Sequence, residues 1–185
     1  FLQKITNSGR SGRKKVLEFL GEDAKGKTIF EYGCGVGSLT LQLASAVGTR
    51  GKVYATHFSK NNIKITKKRF EIKEWQTESL NYGQVHVIHD PDQMHRVYPD
   101  IGYADMVVSI GVLAYVQDIR KVLKEMYAIM PVGGKLIFVE HTDFFHIIPN
   151  IEWLANDKPI ADLFRSMGFA VKVRREKGIL WNTMI

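Results

Sequence analysis

The chain has 185 residues, of which 45% are hydrophobic and 24% charged, and its formal net charge is +7. This length predicts one globular domain, no apolar run is long enough to predict a membrane span, and no secretory signal pattern is present. One cysteine excludes an internal disulfide and any multi-cysteine metal site, and a cytoplasmic protein is expected.

The first half of the chain alternates predicted helices and strands. Apolar periodicity and glycine or serine boundaries predict helices at residues 12–21, 38–48 and 59–75 and strands at 27–32, 51–58 and 84–90. Ser59 is the predicted cap of the third helix, whose inner face would carry Ile63, Thr66 and Phe70. This helix is unusually basic.

The second half continues the alternation. The patterns predict strands at residues 104–113, 135–141, 169–176 and 179–185 and helices at 118–130 and from Asn156 or Asp157 to Gly168. The helix at 118–130 has a core stripe, formed by Ile119, Val122, Leu123, Met126 and Met130.

Strands that alternate with helices predict an α/β fold. We expect a Rossmann-like, doubly wound, mostly parallel seven-stranded sheet with a C-terminal antiparallel hairpin. The single domain, 1–185, would comprise an N-terminal helical segment (1–27), a ligand-binding core (28–141), and a rim loop, helix and hairpin (142–185). Ligands of such sheets bind beyond the carboxyl ends of the strands, near the topological switch point.

Three glycines, Gly33, Gly35 and Gly37, separate the first strand from the following helix. Glycine permits positive φ and lets a ligand approach the backbone, and the N-terminus of a helix attracts negatively charged groups. With acidic Glu31 ahead of it, this turn favours a bound ligand over a bare strand-to-helix connection.

The order Glu-x-Gly-x-Gly-x-Gly from Glu31 to Gly37 resembles the first motif of class I S-adenosylmethionine-dependent methyltransferases. "HVIHD", which ends at Asp90, is similar to the third strand of that family and its adenine-binding acid. "ADMVVSIGVLAYVQDIRKVLKEMYAIMPVGGKLIFVEH" is similar to its fourth strand, helix, glycine turn and fifth strand, and "LFRSMGFAVKV" to its late helix-to-strand passage. The resemblance spans about residues 28–173 and is strongest to small-molecule methyltransferases of the ubiquinone/menaquinone-biosynthesis type.

The resemblance implies an enzyme that binds S-adenosyl-L-methionine, transfers a methyl group by direct displacement and releases S-adenosyl-L-homocysteine. Glu31 would hold the methionine amino end, and Asp90 the adenine amino group with Pro91 beside the ring. For Asp90 an Asx turn is the structural alternative. The other implied cofactor-binding residues follow strands one, two and four: Tyr32, Gly33, Cys34, Gly35, Gly37, His57, Phe58, Ser109, Ile110 and Gly111.

The chain departs from the family where the second strand ends. The family usually has an acid there that holds the ribose hydroxyls, and this chain has His57. A neutral histidine can bond one hydroxyl but cannot offer two oxygens to a diol. Three interpretations remain: weak cofactor binding, compensation by Thr56, Ser59 or water, and a degenerate site in a non-catalytic scaffold protein.

Candidate groups for the methyl acceptor follow strands four and five: Tyr115, Glu140, His141 and His146. His141 directly ends the fifth strand and is the best-placed base or acceptor-orienting group, with Tyr115 as second catalytic candidate. The segment "HTDFFHIIPNIEW" suits an apolar or aromatic small-molecule acceptor, although the same residues could form core under a loop.

The basic segment 60–73 leaves two alternatives open: an RNA methyltransferase, which is less favoured, and a solvated helix face. The histidines at 86, 89 and 95 do not predict a metal site, because His86 and His89 face opposite sides of a strand and no ligand spacing is present. The oligomeric state is not predicted.

Overall fold

A computed structural model describes residues 2–72, 81–140, 156–176 and 179–184 of the chain. Within these residues one sheet has the strand order β3-β2-β1-β4-β5-β7-β6. Its strands are β1 (Thr28–Tyr32), β2 (Lys52–His57), β3 (Gln84–His89), β4 (Met106–Ile110), β5 (Lys135–Glu140), β6 (Val171–Glu176) and β7 (Ile179–Met184). Strands β1 to β5 pair in parallel, and β7 pairs antiparallel with both β5 and β6.

Helices cover both faces of this sheet, so the Rossmann-like α/β fold expected from the sequence is confirmed. The helices are α1 (Leu2–Leu20), α2 (Ser38–Val47), α3 (Lys60–Glu71), α4 (Ile119–Ile129) and α5 (Asp157–Arg165). Short 3-10 helices lie at Gly21–Ala24 and Leu113–Tyr115.

Alternating side chains divide the interior into two layers. Ile29, Val53 and Val108 pack with α1 and α2 on one face of the sheet. Phe30 and Phe138 pack on the other face with α4 and α5. The predicted stripe of α4 is confirmed, because Val122, Leu123 and Met126 are fully buried and Ile119 and Met130 pack against the same core.

Three predicted helix boundaries were wrong, of which one is the end of α5, at Arg165 and not at Gly168. Helix α1 starts at Leu2 and not at residue 12, because the backbone stays helical through the weak helix formers Asn7, Ser8 and Gly9. Helix α3 ends at Glu71, before the predicted end near residue 75, since Ile72 has an extended conformation. In α1 a Cβ at Gly12 would lie 3.3 Å from Cγ1 of Val139, so this glycine lets the helix approach β5 closely.

The strand register brings the carboxyl ends of the parallel strands to one edge. Tyr32 is opposite Thr56, His57 is opposite His89, and Ile110 is opposite Val139. The direction of the crossovers reverses between β1 and β4, because β2 and β3 lie on one side of β1 and β4 and β5 on the other. Ligands of open α/β sheets bind at such a switch point.

Candidate active site

The glycine turn after β1 contains three positive φ angles, 94° at Gly33, 55° at Gly35 and 80° at Gly37. A Cβ at Gly33 would lie 2.3 Å from Cγ2 of Val112, and one at Gly37 would lie 2.6 Å from Cγ2 of Thr66. A Cβ at Gly35 would meet nothing within 4 Å. Packing within the chain therefore accounts for Gly33 and Gly37, whereas Gly35 presents its backbone to open space.

Hydrogen bonds hold this turn against β2 and α3. The N–H groups of Gly33 and Cys34 donate to the Thr56 carbonyl oxygen at 3.1 and 2.9 Å, and Thr66 Oγ1 donates to the Gly35 carbonyl at 3.3 Å. Helix α2 follows with Gly37 as its N-cap, so no side chain caps its first N–H groups. The turn is thus fixed in position by its own hydrogen bonds, while the space next to the Cα of Gly35 stays open.

Glu31 lies beneath the turn as a buried carboxyl group. Thr40 of α2, a residue that the sequence did not single out, donates its hydroxyl to Glu31 Oε2 at 2.5 Å. Burial raises the pKa of Glu31 to about 7, and the hydrogen bond from Thr40 opposes the shift. A cationic group at the turn would favour the ionised form of this carboxyl.

The Tyr32 side chain does not reach the turn. Its ring is fully buried in the core beside Phe30, and its hydroxyl donates to the carbonyl oxygen of Gln93. Only the main chain of Tyr32 is therefore available to a ligand, and the side chain supports the loop after β3.

Cys34 is also buried, and burial raises the pKa of its thiol to about 12, with a further contribution from the Glu31 carboxylate. The thiol therefore stays protonated at neutral pH. Cys34 lines the turn from inside and supplies no nucleophile to it.

Both ring nitrogens of His57 are bonded within the chain. Nδ1 accepts the Ser59 N–H at 2.9 Å, and Nε2 lies 3.2 Å from Nδ2 of Asn62. Burial lowers the pKa of His57, with a smaller contribution from His89, so the ring is neutral. Its proton is then on Nε2, and we assign the Asn62 amide the reversed orientation, in which its oxygen accepts this proton.

Phe58 stands beside this histidine. The two rings stack with their centroids 4.6 Å apart, and the Phe58 side chain is 48% exposed. The end of β2 therefore offers an exposed aromatic ring in place of a hydroxyl-binding carboxylate.

Asp90 is buried directly after β3. The Asp92 N–H donates to its Oδ1 at 3.2 Å, and the Arg96 guanidinium contacts both oxygens at 3.0 and 3.3 Å. Burial raises the pKa of Asp90, and Arg96 opposes the shift. The Asx turn anticipated as the alternative is present, and an adenine amino group would have to share the carboxylate with Arg96. Pro91 is exposed next to it.

The residues that follow β4 complete this edge. Ser109 is buried and donates its hydroxyl to the Tyr32 carbonyl at 3.0 Å, so it joins β4 to β1. Ile110 is half-buried, and Gly111, with φ of 67°, donates its N–H to the Val139 carbonyl at 2.8 Å. The backbone at residues 110 and 111 reaches the edge, while the Ser109 side chain is used inside the sheet.

Glu140 ends β5 and turns inward. Its Oε1 accepts the N–H groups of Val112 and Leu113 at 3.0 and 2.8 Å, so the carboxyl fixes the start of the 3-10 helix that carries Tyr115. Burial raises the pKa of Glu140 to about 7. Tyr115 itself is exposed. His141, His146 and the apolar segment up to residue 153 lie outside the described residues.

Two further histidines lie on β3, and the buried Nε2 of one of them, His86, has no hydrogen-bond partner among the described residues. The His86 ring stacks on Tyr54 at 5.1 Å between centroids, and His89 Nε2 lies 3.0 Å from the Phe58 carbonyl oxygen. Across the part of the chain that the structure describes, no three His, Cys, Asp or Glu side chains converge as metal ligands. In the same residues no helix is long and apolar enough to cross a bilayer.

Sequence and structure comparisons agree with this geometry. A family model described as a methyltransferase domain matches residues 7–175. A demethylmenaquinone methyltransferase of Oceanobacillus iheyensis is 30% identical over 131 residues, which cover 71% of this chain and 51% of that protein. The chain spans about half the length of this and another curated relative that it matches.

Solved structures share the fold at low sequence identity. An S-adenosylmethionine-dependent methyltransferase from Aquifex aeolicus has a TM-score of 0.69 and 17% identity, with 94% of this chain and 89% of that chain covered. The DhpI–SAH complex has a TM-score of 0.72 and 18% identity, with 100% and 87% covered. The chain belongs to the methyltransferase-domain family, and its resemblance to the class I S-adenosylmethionine-dependent methyltransferases is confirmed.

Proposed function

We propose that this chain is an S-adenosylmethionine-dependent methyltransferase that acts on a small molecule. The observation that carries the proposal is Gly35, whose backbone faces open space at the switch point between β1 and β4. A buried carboxyl, Glu31, lies beneath it and suits the cationic methionine end of the cofactor. S-adenosyl-L-homocysteine would be the product.

Most of the candidate residues fit this cofactor, and His57 does not. Glu31, the main chain from Tyr32 to Gly37 and the backbone of Ile110 and Gly111 would hold the methionine portion. Phe58 and Pro91 would contact the adenine ring, and Asp90 would bond its amino group while keeping Arg96. His57 does not fit the ribose diol, because both its nitrogens are bonded within the chain.

When bound, the cofactor supplies a methyl group on a sulfonium centre, which needs an aligned nucleophile and a dry site. The chain contributes alignment: Glu140 fixes the residues that carry Tyr115, whose hydroxyl would orient the acceptor. His141, next to Glu140 in sequence, would accept a proton when the acceptor carries one.

The acceptor would be an apolar or aromatic small molecule. The Oceanobacillus iheyensis relative is a demethylmenaquinone methyltransferase, and the segment after β5 is rich in Phe and Ile. We therefore favour a quinone-type or similar aromatic ring. The whole chain, 1–185, would act as one domain, and its cytoplasmic location stays a prediction.

A non-catalytic scaffold protein is the second candidate. It is favoured by His57, whose two ring nitrogens are both bonded within the chain and so do not face the ribose. Loss of a charge-assisted bond to the ribose would weaken binding by about 1.5–3 kcal/mol, roughly tenfold to a hundredfold. A scaffold would show no cofactor binding, whereas a weakened enzyme would still bind and turn over.

The decisive test compares Gly35→Ala with Gly21→Ala. Gly21 is a matched control, because its φ of 54° is close to the 55° of Gly35 and a Cβ at either glycine would meet nothing within 4 Å, yet Gly21 lies just after α1. Both changes should lower stability by a similar amount, about 1–2 kcal/mol, since each places a side chain at positive φ. Only Gly35→Ala should weaken binding of S-adenosylmethionine, at least about tenfold by calorimetry.

Turnover is tested separately. The full chain is incubated with the cofactor and demethylated quinols or related phenols, and S-adenosyl-L-homocysteine is quantified by mass spectrometry. Product formation that Gly35→Ala reduces and Gly21→Ala retains would support the enzyme. No calorimetric signal and no thermal shift at millimolar cofactor would instead establish the scaffold.

A further inference from the structure

Helix α3 attaches to the sheet by a narrow stripe. Ile63 and Thr66 are buried and Phe70 is half-buried, and Ser59 caps the first turn by accepting the Asn62 N–H. These contacts fix which residues face outward. Lys64, Ile65 and Lys68 are exposed on the opposite side, and Lys60 and Lys67 are exposed at the flanks of the buried stripe.

Two isoleucines lie on this outer side. Ile65 is 44% exposed and Ile72, just after the last helical residue, is 54% exposed. They are seven residues apart, about two helical turns, so they share a flank with Lys68 between them. Single exposed apolar residues need no explanation, but an aligned pair beside cations forms an amphipathic surface.

The charge of α3 is one-sided. Its sequence contains five basic residues, four lysines and Arg69, and one acidic residue, Glu71. Elsewhere lysines pair with acids one turn away, as in Lys14–Glu18, Lys121–Glu125 and Lys158–Asp162. Among the described residues no acid forms an ion pair with the α3 cations, although Glu71 lies one turn from Lys67, so the helix keeps an excess of four positive charges.

We propose that the outer face of α3, formed by Lys60, Lys64, Ile65, Lys68 and Ile72, docks on the surface of an anionic phospholipid bilayer. The helix would lie in the membrane plane, with both isoleucines at the boundary between headgroups and acyl chains. The lysines would contact lipid phosphates, which attract basic segments near a membrane. This surface goes beyond the proposed methyl transfer and does not depend on it.

The apolar pair decides between lipid and RNA. Counterion release by lysines would serve both partners, but exposed isoleucines on the contact face gain free energy in lipid and not on a phosphate backbone. Helix α3 also starts beside Phe58, at the edge of the candidate site. Docking on the bilayer would therefore place the candidate site next to the lipid, in which an apolar methyl acceptor dissolves.

The test is co-sedimentation of the full chain with phosphatidylcholine vesicles that contain or lack phosphatidylglycerol. We expect binding only to the anionic vesicles, weakened by salt. Lys64→Gln/Lys68→Gln should reduce affinity roughly 25-fold, and Ile65→Ser/Ile72→Ser about tenfold. The matched control, Lys121→Gln/Lys124→Gln on α4, removes equal charge from the other layer and should retain binding.

Thermal unfolding of each variant should match the wild type, because the altered side chains are exposed. Absence of binding to anionic vesicles would overturn the proposal. So would an affinity for these vesicles that is the same in Ile65→Ser/Ile72→Ser as in the wild type. Tight binding of single-stranded or duplex RNA that depends on Lys64 and Lys68 but not on Ile65 and Ile72 would overturn it in favour of a nucleic-acid surface. The Gly35→Ala variant should bind anionic vesicles like the wild type even when it no longer binds the cofactor, so the two proposals are tested separately.

Discussion

The two halves of the candidate site differ in how far the chain satisfies its own polar groups. At the end of β1, Gly35 faces open space and Gly37 leaves the first turn of α2 without a side-chain cap. At the ends of β2 and β3, His57 uses both ring nitrogens and Asp90 both carboxylate oxygens within the chain. A ligand can bind the first half directly, whereas the second half must share its groups.

This difference assigns separate roles to the two halves. The glycine turn would supply most of the affinity, since the first N–H groups of α2 have no side-chain cap that a ligand would have to displace. The ends of β2 and β3 would contribute through the exposed Phe58 ring and through a carboxylate that remains paired with Arg96. Three changes, given in order of decreasing effect, test this division.

Gly33→Ala should have the largest effect and should act on stability. The new Cβ would lie 2.3 Å from Cγ2 of Val112 at a φ of 94°, so strain and overlap add. We expect the free energy of unfolding to fall by about 4 kcal/mol in urea denaturation, against about 1–2 kcal/mol for Gly35→Ala.

The steric overlap of the new Cβ with Val112 can be separated experimentally from the backbone strain at residue 33. In a double-mutant cycle, Val112→Ala should relieve part of the loss caused by Gly33→Ala, with a coupling of about 1 kcal/mol or more. Equal losses for Gly33→Ala and Gly35→Ala would contradict the assignment of Gly33 to packing and of Gly35 to the ligand.

The second change is a rise in pH, which should lower the free energy of unfolding through the ionisation of Glu31. Its pKa is raised to about 7 from 4.5, so the folded protein holds a proton that the unfolded chain releases between these values. Stability from this group is therefore greatest below about pH 4.5 and declines as the pH rises through 7, by roughly 3 kcal/mol at pH 8. Urea denaturation from pH 5 to 8 should show a decline that Glu31→Gln reduces.

Glu140 provides the control, because its pKa is also raised to about 7 while its oxygen is bonded to Val112 and Leu113. Glu140→Gln should reduce the same decline. A cation at the turn favours ionised Glu31, so cofactor affinity should rise about tenfold from pH 6 to 8. Calorimetry should show this rise in Glu140→Gln but not in Glu31→Gln. If the rise in affinity persisted in Glu31→Gln and disappeared in Glu140→Gln, the cationic group of the cofactor would not lie beside Glu31.

The smallest expected effect is that of His57→Asp. Aspartate would restore two oxygens to the end of β2 and could keep the Ser59 N–H, so cofactor affinity should increase about tenfold. Titration calorimetry measures the change, and Gln84→Asp, at the exposed amino end of β3, is the control that adds the same charge and should have no such effect. Weaker binding in His57→Asp would show that the histidine itself contributes to the site.

Much of the fold was predictable because its signals are local. Apolar runs of four to six residues located the strands, and the stripe of α4 identified its buried face. The helix ends were less predictable: α1 continues through Asn7, Ser8 and Gly9, whose weak propensity does not oppose a helix that packs against β4 and β5. The positions of the glycine turn and Asp90 were predictable, since they do follow β1 and β3, and their roles toward a cofactor stay predictions.

The sequence by itself determined that the chain alternates strands with helices and leaves a bare glycine turn at a carboxyl edge, because these features depend on residues adjacent in the chain. Only the tertiary structure decided which polar groups stay open to a ligand. Thr40 bonds Glu31, and Val112 fills the space at Gly33, because parallel register brings segments that are distant in sequence to the same edge. The bonding of a side chain depends on these neighbours, which spacing along one segment does not specify.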